Sequence, residues 1–312
     1  MVKGTWEDTI LATIQQSHMW HNTSILHLTE NMRLNHNPLE RQFAHWLLEL
    51  SRGSTIDMNT GSGSVAVPRN MVCMDQDDLI RSLYGRNCQE STPPLQYFYD
   101  RVLLAPLNDD VQKLNAHILQ LFPGLAHTYV SADTQVVKPG MQHSINQVPV
   151  EFLHSLNTSR LPLANLDLKL GCPIILLRNL DNKCGLCNDT RVTVMHISNQ
   201  VLQIRLLGGD HDGEITFIPQ IMHSPSIHGV DFTIHLKCRQ FPIQLAFVMI
   251  INRSQGQSVG HVAVDLHTLA FTYGQLYVAF SHVTVSNKIK VLLPTDPPCQ
   301  TTNIVYPEIL LQ

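Results

Sequence analysis

The run LAFVMII, residues 245–251, constrains this chain more than any other segment. Seven apolar residues in succession, with no polar alternation, suit a strand buried on both faces, as in a parallel sheet covered by helices. HVAVDL (261–266) and KIKVLL (288–293) read as further strands, with a helix over 273–283 between them. The segment 101–124, RVLLAPLNDDVQKLNAHILQLFPG, repeats the unit. Val102 to Ala105 form a buried strand and Pro106 a turn. A helix follows with Asn108 as its cap and Asp109 and Asp110 in the first turn, where the helix dipole favours acids. Val111, Leu114, Ile118 and Phe122 make its inner stripe, and Pro123-Gly124 stops it. Strand followed by helix is the repeating unit of an α/β fold.

Residues 166–240 break this pattern. LDLKLGCPIILLRN, TRVTVMHI, QVLQIRLL and EITFIP are short strands separated by turn signals with no helix between them, which suggests a small β-barrel inserted into the α/β domain. Nearer the N-terminus, residues 8–20 read as an amphipathic helix and Ser24 to Leu28 as a strand. A second helix spans 37–50, capped by Asn37, with Pro38 in its first turn and Glu40 completing a capping box. Leu39, Phe43, Trp46, Leu47 and Leu50 share one of its faces. Residues 52–69 are loop, ending in a strand at VAVP.

With 44% hydrophobic and 15% charged residues, the chain has enough apolar surface for a real core and is not a disordered tail. No apolar run reaches the roughly 18 residues that span a bilayer, and MVKGTWEDTI lacks the apolar core of a signal peptide. The expectation is a nuclear or cytoplasmic protein, with no membrane partner and with its seven cysteines as reduced thiols. The net charge of −4 argues against a protein that grips phosphate by charge alone.

Three strings carry chemistry. LTENMRL (28–34) places Arg33 at the carboxyl edge of the expected strand, where open α/β sheets bind ligands. INRSQGQS (251–258) runs from a buried strand into a polar turn at Gly256, and such turns present backbone N–H groups to anions. GQLYVAFSHV (274–283) reads as a helix with Leu276, Ala279, Phe280 and Val283 inward and Gln275 and His282 elsewhere.

INRSQGQ followed by GQLYVAFSHV resembles the fifth and sixth helicase motifs of the Pif-one-like, RecD-like and Helitron-type DNA helicases of superfamily one, and LTENMR is similar to their fourth. LLAPLNDDV, LKLGCPIILLRNLD, GLCNDTR and RQFPIQLAF match the same family in order, and the resemblance runs from about residue 8 to 309. It implies a motor of two RecA-like domains that hydrolyses ATP with Mg²⁺ in the cleft between them and steps 5′ to 3′ along single-stranded DNA. Residues 1–24 would end the first RecA-like domain, and 25–165 with 241–312 would form the second. Residues 166–240 would be an inserted Src-homology-three-like barrel, the 2B domain. Arg33 would reach the γ-phosphate, and Asn252, Arg253, Ser254, Gln255, Gly256 and Gln275 would line the nucleotide cleft. Pro106, Asn108, Ser254, Gln257 and Ser258 would face DNA. The family's processes, DNA repair, recombination and telomere maintenance, and its Helitron transposon branch come with the resemblance.

Two departures stand against an active motor. No Gly-Lys-Ser or Gly-Lys-Thr occurs, so the P-loop is missing; TGSGS at 60–64 has no lysine and reads as loop. No Asp-Glu pair of the Walker-B kind occurs either. His282 stands where the family carries its arginine finger, and histidine lacks the planar fork that clamps phosphate. Arg253 replaces the family's usual lysine. The expectation is therefore a C-terminal helicase portion that is inactive alone and binds single-stranded DNA weakly. The alternatives are a full helicase, if the native chain is longer or a P-loop-bearing N-terminal half is supplied, and a non-catalytic protein-interaction remnant. An unpartnered apolar face of Ile10, Leu11 and Ile14 is expected to make the chain sticky.

Cys184-Gly185-Leu186-Cys187 has zinc-knuckle spacing but needs two more ligands, from Cys172, Cys238 or a histidine. The simpler reading is a turn between barrel strands with Cys187 buried, so no metal ligand is assigned. Arg33 has a bland reading as well, as the partner of a carboxylate.

Overall fold

The computed structural model describes residues 6–26, 29–34, 37–54, 63–85, 94, 97–136, 149–155, 161–224, 226–228, 233–257, 259–294 and 299–306. They fall into two compact units, one made of Met1–Leu79 with Ser254–Gln312, the other of Ile80–Arg253.

In the first unit the helix Pro38–Arg52 starts as its cap predicts: the Asn37 Oδ1 accepts from the Leu39 N–H at 3.0 Å, and Pro38 fills the first position. Gly53 ends it at φ 74°, a left-handed closure that glycine adopts without strain. Phe43 and Leu50 are buried, and Trp46 meets the edge of Phe280 with ring centres 5.4 Å apart. Leu39, expected on the inner face, is exposed because it sits in the first turn, ahead of the first buried apolar position at Phe43. Val72–Cys73, Ile289–Leu292 and His261–Asp265 pair in parallel, Val291 opposite Val72 and Val262 opposite Ile289. Ser64–Ala66, from the expected VAVP strand, pairs antiparallel with Gln300–Thr302.

The N-terminal expectations fare less well. Helix forms only over Trp6–Leu11, and short 3-10 turns follow at Ile14–Gln16 and Trp20–Asn22. The Thr13 hydroxyl donates to the Ile10 carbonyl at 2.8 Å, a side-chain bond that competes with helix propagation. Residues 24–26 form no strand, and 27–28 lie outside the described residues. Arg33 therefore sits in a turn rather than at a strand edge.

In the second unit Arg101–Ala105 and Val248–Ile250 pair in parallel, Leu103 opposite Val248. The helix Asn108–Leu121 lies where expected, but Leu107 holds the capping position and Asn108 is its first residue. Its stripe of Val111, Leu114 and Ile118 is buried, as is Phe122 just beyond. Asn115 fixes the helix to the neighbouring strand: its Oδ1 accepts from the Val248 N–H at 3.0 Å and its Nδ2 donates to the Val248 carbonyl at 2.9 Å. Tyr84, Phe98, Phe122 and Phe247 form an aromatic cluster with ring centres 5.4–6.2 Å apart in its contacting pairs.

The run LAFVMII is not one strand. Ile243–Leu245 pairs antiparallel with Pro173–Leu176, and Val248–Ile250 belongs to the parallel pair. Ala246 and Phe247, both buried, carry the chain from one sheet to the other.

The short strands of 166–240 mostly join that first partner. Ile215–Pro219, Val201–Leu206, Arg191–Ile197, Pro173–Leu176 and Ile243–Leu245 form a five-stranded antiparallel sheet in that order, with a bulge between Val194 and His196. It reaches past residue 240 to take in Ile243–Leu245. Asn165–Leu168 pairs instead with His127–Val130. A further sheet centres on Thr233–Gln240, flanked by Ala132–Val136 on one side and by Ile221–His223 and Ser226–His228 on the other. Burial pushes the Cys238 thiol up to about 12 and the His223 ring down to about 4. Among the described residues, no helix is long and apolar enough to cross a membrane.

Candidate functional site

Arg33, Gln255, Gly256, Gln257, Val278, Ser281 and His282 line a cavity of about 300 Å³ in the first unit. Three sequence-separated strings meet there, and each arrives by a different local device. The Arg33 turn is shaped by Asn31, whose Oδ1 accepts from the Arg33 N–H at 3.1 Å. The turn at Gln255–Gly256 needs a left-handed residue, and Gly256 supplies it at φ 83°. The helix Gln275–Phe280 is entered through Gly274, also left-handed at φ 68°.

The Arg33 guanidinium donates to the Ser281 carbonyl at 3.0 Å and to the His282 carbonyl at 3.3 Å. These carbonyls lie just past the helix C-terminus, where the dipole favours a cation. His282 is buried, and its ring lies between two more carbonyls: Nδ1 is 2.6 Å from Val278 O and Nε2 is 2.9 Å from Ser254 O. A neutral imidazole donates through one nitrogen, so it serves one of these acceptors at a time. The ring thus joins the end of the helix to the 254–257 turn. Chemically the pocket offers a guanidinium beside a glycine-containing polar turn, a setting suited to an anion.

The cavity brings together Arg33, Gln255, Gly256 and His282, along with Gln257, which the sequence reading assigned to DNA. Ser254 is fully buried and contributes its carbonyl. Asn252 and Arg253 belong to the 3-10 turn Ile251–Ser254 and are not among the lining residues. Arg253 has a carboxylate neighbour in Asp189: burial raises that carboxyl's pKa and the Arg253 charge opposes the rise. Gln275 is buried away from the cavity lining. Its Oε1 accepts from the Phe271 N–H at 3.0 Å, while its Nε2 has no hydrogen-bond partner. Pro106 is buried, Asn108 lines a separate cavity of about 590 Å³ in the second unit, and Ser258 lies outside the described residues. Val278 and Ser281 were missed. They act through backbone carbonyls, for which side-chain chemistry gives no signal.

The Cys184–Cys187 segment is the expected turn, with Asn182–Cys184 as a 3-10 turn and Gly185 left-handed. Cys187 is half-buried rather than buried, its Sγ 3.5 Å from Asn182 Oδ1.

The PIF1-like helicase family model matches residues 1–61, which include Arg33, and the model of the DNA helicase Pif1 2B domain matches 151–197. Over these segments the chain is similar to the Pif1-like helicases. The ATP-dependent DNA helicase PIF1 of Homo sapiens is 29% identical over 190 residues, covering 59% of this chain and 26% of the relative. The Pif1 helicase of Campylobacter jejuni is 27% identical over 205 residues, covering 62% of this chain and 42% of the relative. The match thus spans about a quarter of the human protein's length. The fold is that of solved Pif1 helicases. The Bacteroides enzyme in complex with ADP-AlF3 and ssDNA aligns over 97% of this chain and 66% of its own at TM-score 0.57 and 16% identity. The Candida albicans Pif1 helicase aligns over 89% and 59% at TM-score 0.54 and 20% identity.

Proposed function

We propose that this chain is the second RecA-like half of a Pif1-type, ATP-dependent 5′-to-3′ DNA helicase, and that alone it does not hydrolyse ATP. Residues 1–24 would close the first motor domain, 25–165 and 241–312 would form the second, and 166–240 would be the barrel-like 2B insertion. The observation that carries this reading is the meeting of Arg33, the 255–257 turn and His282 around one pocket suited to an anion. There Arg33 would hold the nucleotide's terminal phosphate and the turn its oxygens, with Mg²⁺ supplied along with the nucleotide by a P-loop half. No Gly-Lys-Ser or Gly-Lys-Thr occurs in the 312 residues. His282, whose ring lies between two backbone carbonyls, offers no guanidinium to a transition state. An arginine finger contributes roughly 10³–10⁵ in rate, so its replacement weighs heavily even in a two-half motor.

The residual activity is weak binding of single-stranded DNA through residues 254–258 and the inserted sheet. Purified chain should show no ATP turnover above a no-protein control. It should bind a fluorescent oligothymidine with an affinity that falls steeply as salt rises. ATP turnover by the chain alone would overturn the inactive reading. Binding insensitive to salt, or absent from a folded sample, would remove the DNA role. A second reading, a protein-binding remnant, draws on the exposure of Leu11, Ile14, Leu26 and Met32, all more than 60% accessible.

A further inference from the structure

Asn165–Leu168 pairs antiparallel with His127–Val130, and the two strands make a sheet of their own. Just ahead of this ladder the Ser131 N–H donates to the Ala164 carbonyl at 2.7 Å. Backbone groups alternate between the two edges of a strand, so Leu166 and Leu168 follow Ala164 and bond across to the partner strand. Asn165 and Asp167 therefore turn their N–H and C=O groups to the opposite edge. Among the described residues that edge pairs with no strand.

The cavity of about 590 Å³ lies along it. Asn165, Leu166 and Asp167 all line this cavity. Successive side chains of a strand point to opposite faces, so a space touched by three in a row runs along an edge. None of His127–Val130 lines it, which identifies the edge as the unpaired one. The facing wall is one side of the helix Asn108–Leu121, where Asn108, Val111, Gln112, Asn115, Ala116 and Leu119 recur every three or four residues. Leu161, Leu163 and Leu245 add apolar surface, and Lys169 stands one residue past the strand's end. Lys169 is 9% exposed, and its Nζ donates to the Phe122 carbonyl. No carboxylate pairs with it among the described residues. A buried cation without a counter-charge is costly, and a ligand's carboxylate would offset that cost.

We propose that this cavity docks an extended peptide, which adds a third strand along the edge of Asn165–Leu168. The peptide's main chain would bond to the outward groups of Asn165 and Asp167, and its side chains would supply specificity. An acidic side chain would face Lys169, and a basic one two residues away would meet Asp167. The residue between them is apolar and packs on the leucines. The lining favours a peptide over single-stranded nucleic acid. No aromatic side chain is there to stack a base, and the carboxylates of Asp109 and Asp167 outnumber the one cation, which disfavours phosphate. The inference does not draw on the helicase reading.

Fluorescence anisotropy with the full chain and labelled, end-blocked heptapeptides tests it. Two probes carry a central Glu-Val-Lys or Lys-Val-Glu, one for each strand direction, and a control carries Lys-Val-Lys. One of the two probes should bind saturably and at least tenfold tighter than the control. N-methylation along that probe should abolish binding at alternate positions and be tolerated between them, as a ladder on one edge requires. Lys169→Met, which keeps the buried stem, should weaken binding at least tenfold. Asn165→Pro removes an outward N–H and spares the ladder to His127–Val130, a change that edge strands accept. It should also weaken binding at least tenfold, with circular dichroism unaltered. The N-methylated peptides decide the matter if either variant does not fold. The proposal is overturned if neither probe binds saturably, if N-methylation is tolerated at every position, or if either folded variant binds as the wild type does. Displacement of the probe by oligothymidine would assign the cavity to nucleic acid instead. A dimer that Asn165→Pro converts to monomer would assign it to a second copy, and either result overturns the peptide.

Discussion

The Nε2 atom of His282 lies 2.9 Å from the backbone carbonyl oxygen of Ser254, and Ser254 is fully buried. The His282 ring is thus built into the backbone on which the pocket rests. His282→Ala should remove one hydrogen bond while the Ser281 hydroxyl still donates to the Val278 carbonyl and the Gln257 N–H to the Ser254 carbonyl, destabilising the chain by about 0.5–1.5 kcal/mol. Urea unfolding reads this directly. An unchanged midpoint would mean that the ring contacts contribute nothing to stability.

Arg33 makes two bonds to backbone carbonyls from an exposed position. Solvent weakens such bonds, so Arg33→Ala should change stability by less than about 1 kcal/mol. Its effect on anions should be larger: pyrophosphate binding, followed by calorimetry, is expected to weaken at least tenfold. The opposite pattern, a large stability loss with pyrophosphate affinity intact, would make Arg33 a clasp on the helix end and not an anion ligand.

How much of this was readable from sequence depends on which atoms do the work. The helix Pro38–Arg52 was legible because its start signal lies in side chains, Asn37 and Pro38, which act locally. The helix over 108–121 was legible from its apolar stripe. LAFVMII is mostly buried, as expected, with Leu245 and Ile250 half-buried, but it is not one strand, because nothing in an apolar run marks where the chain changes sheets. The strand expected at 24–28 failed for a different reason. Ile25 is 43% and Leu26 90% exposed, so their apolar character does not record burial within this unit. At the site, the strings supplied Arg33 and His282, but their partners are the carbonyls of Val278, Ser281, His282 and Ser254. Any residue has such a carbonyl, so only the fold reveals them.

Asn115 grips Val248 with both ends of its amide, and the helix and strand it joins are buried around it. Asn115→Ala should strand one backbone donor and one acceptor, a loss of about 2–6 kcal/mol, from roughly 1–3 kcal/mol for each unsatisfied group. Asn115→Asp should do little better, since a carboxylate cannot donate to the Val248 carbonyl. If Asn115→Ala unfolds at the wild-type urea midpoint, water replaces both bonds and the grip is dispensable.

Cys172 is fully buried, and burial pushes its thiol from 9.0 up to about 12, against smaller lowering effects from nearby backbone hydrogen bonds and the Lys169 charge. The folded chain keeps this proton to a higher pH than the unfolded chain does. The associated stability is complete below pH 9 and is lost as pH rises toward 12, by an amount on the order of a few kcal/mol. In Cys172→Ala the fall of stability over that window should be shallower than in the wild type. Equal slopes would show that other groups govern alkaline unfolding. At pH 8 the native thiol should also resist iodoacetamide while exposed Cys184 reacts, since the thiolate is the nucleophile.

Gly256 separates the two roles assigned to the 254–257 turn. Its φ of 83° is a conformation that L side chains rarely adopt, yet no heavy atom beyond its chain neighbours lies within 4 Å of where a Cβ would sit. Gly256→Ala therefore adds strain without a clash, about 1 kcal/mol if the turn keeps its shape. Were the turn only a connection, that modest loss of stability would be the whole effect. If its backbone helps hold an anion beside Arg33, relief of the strain should move the N–H groups, and pyrophosphate affinity should fall by more than the stability change explains. Combining Gly256→Ala with Arg33→Ala then gives a clean reading. Losses smaller than additive mean that both residues serve one anion, and additive losses mean that the turn and the arginine act separately.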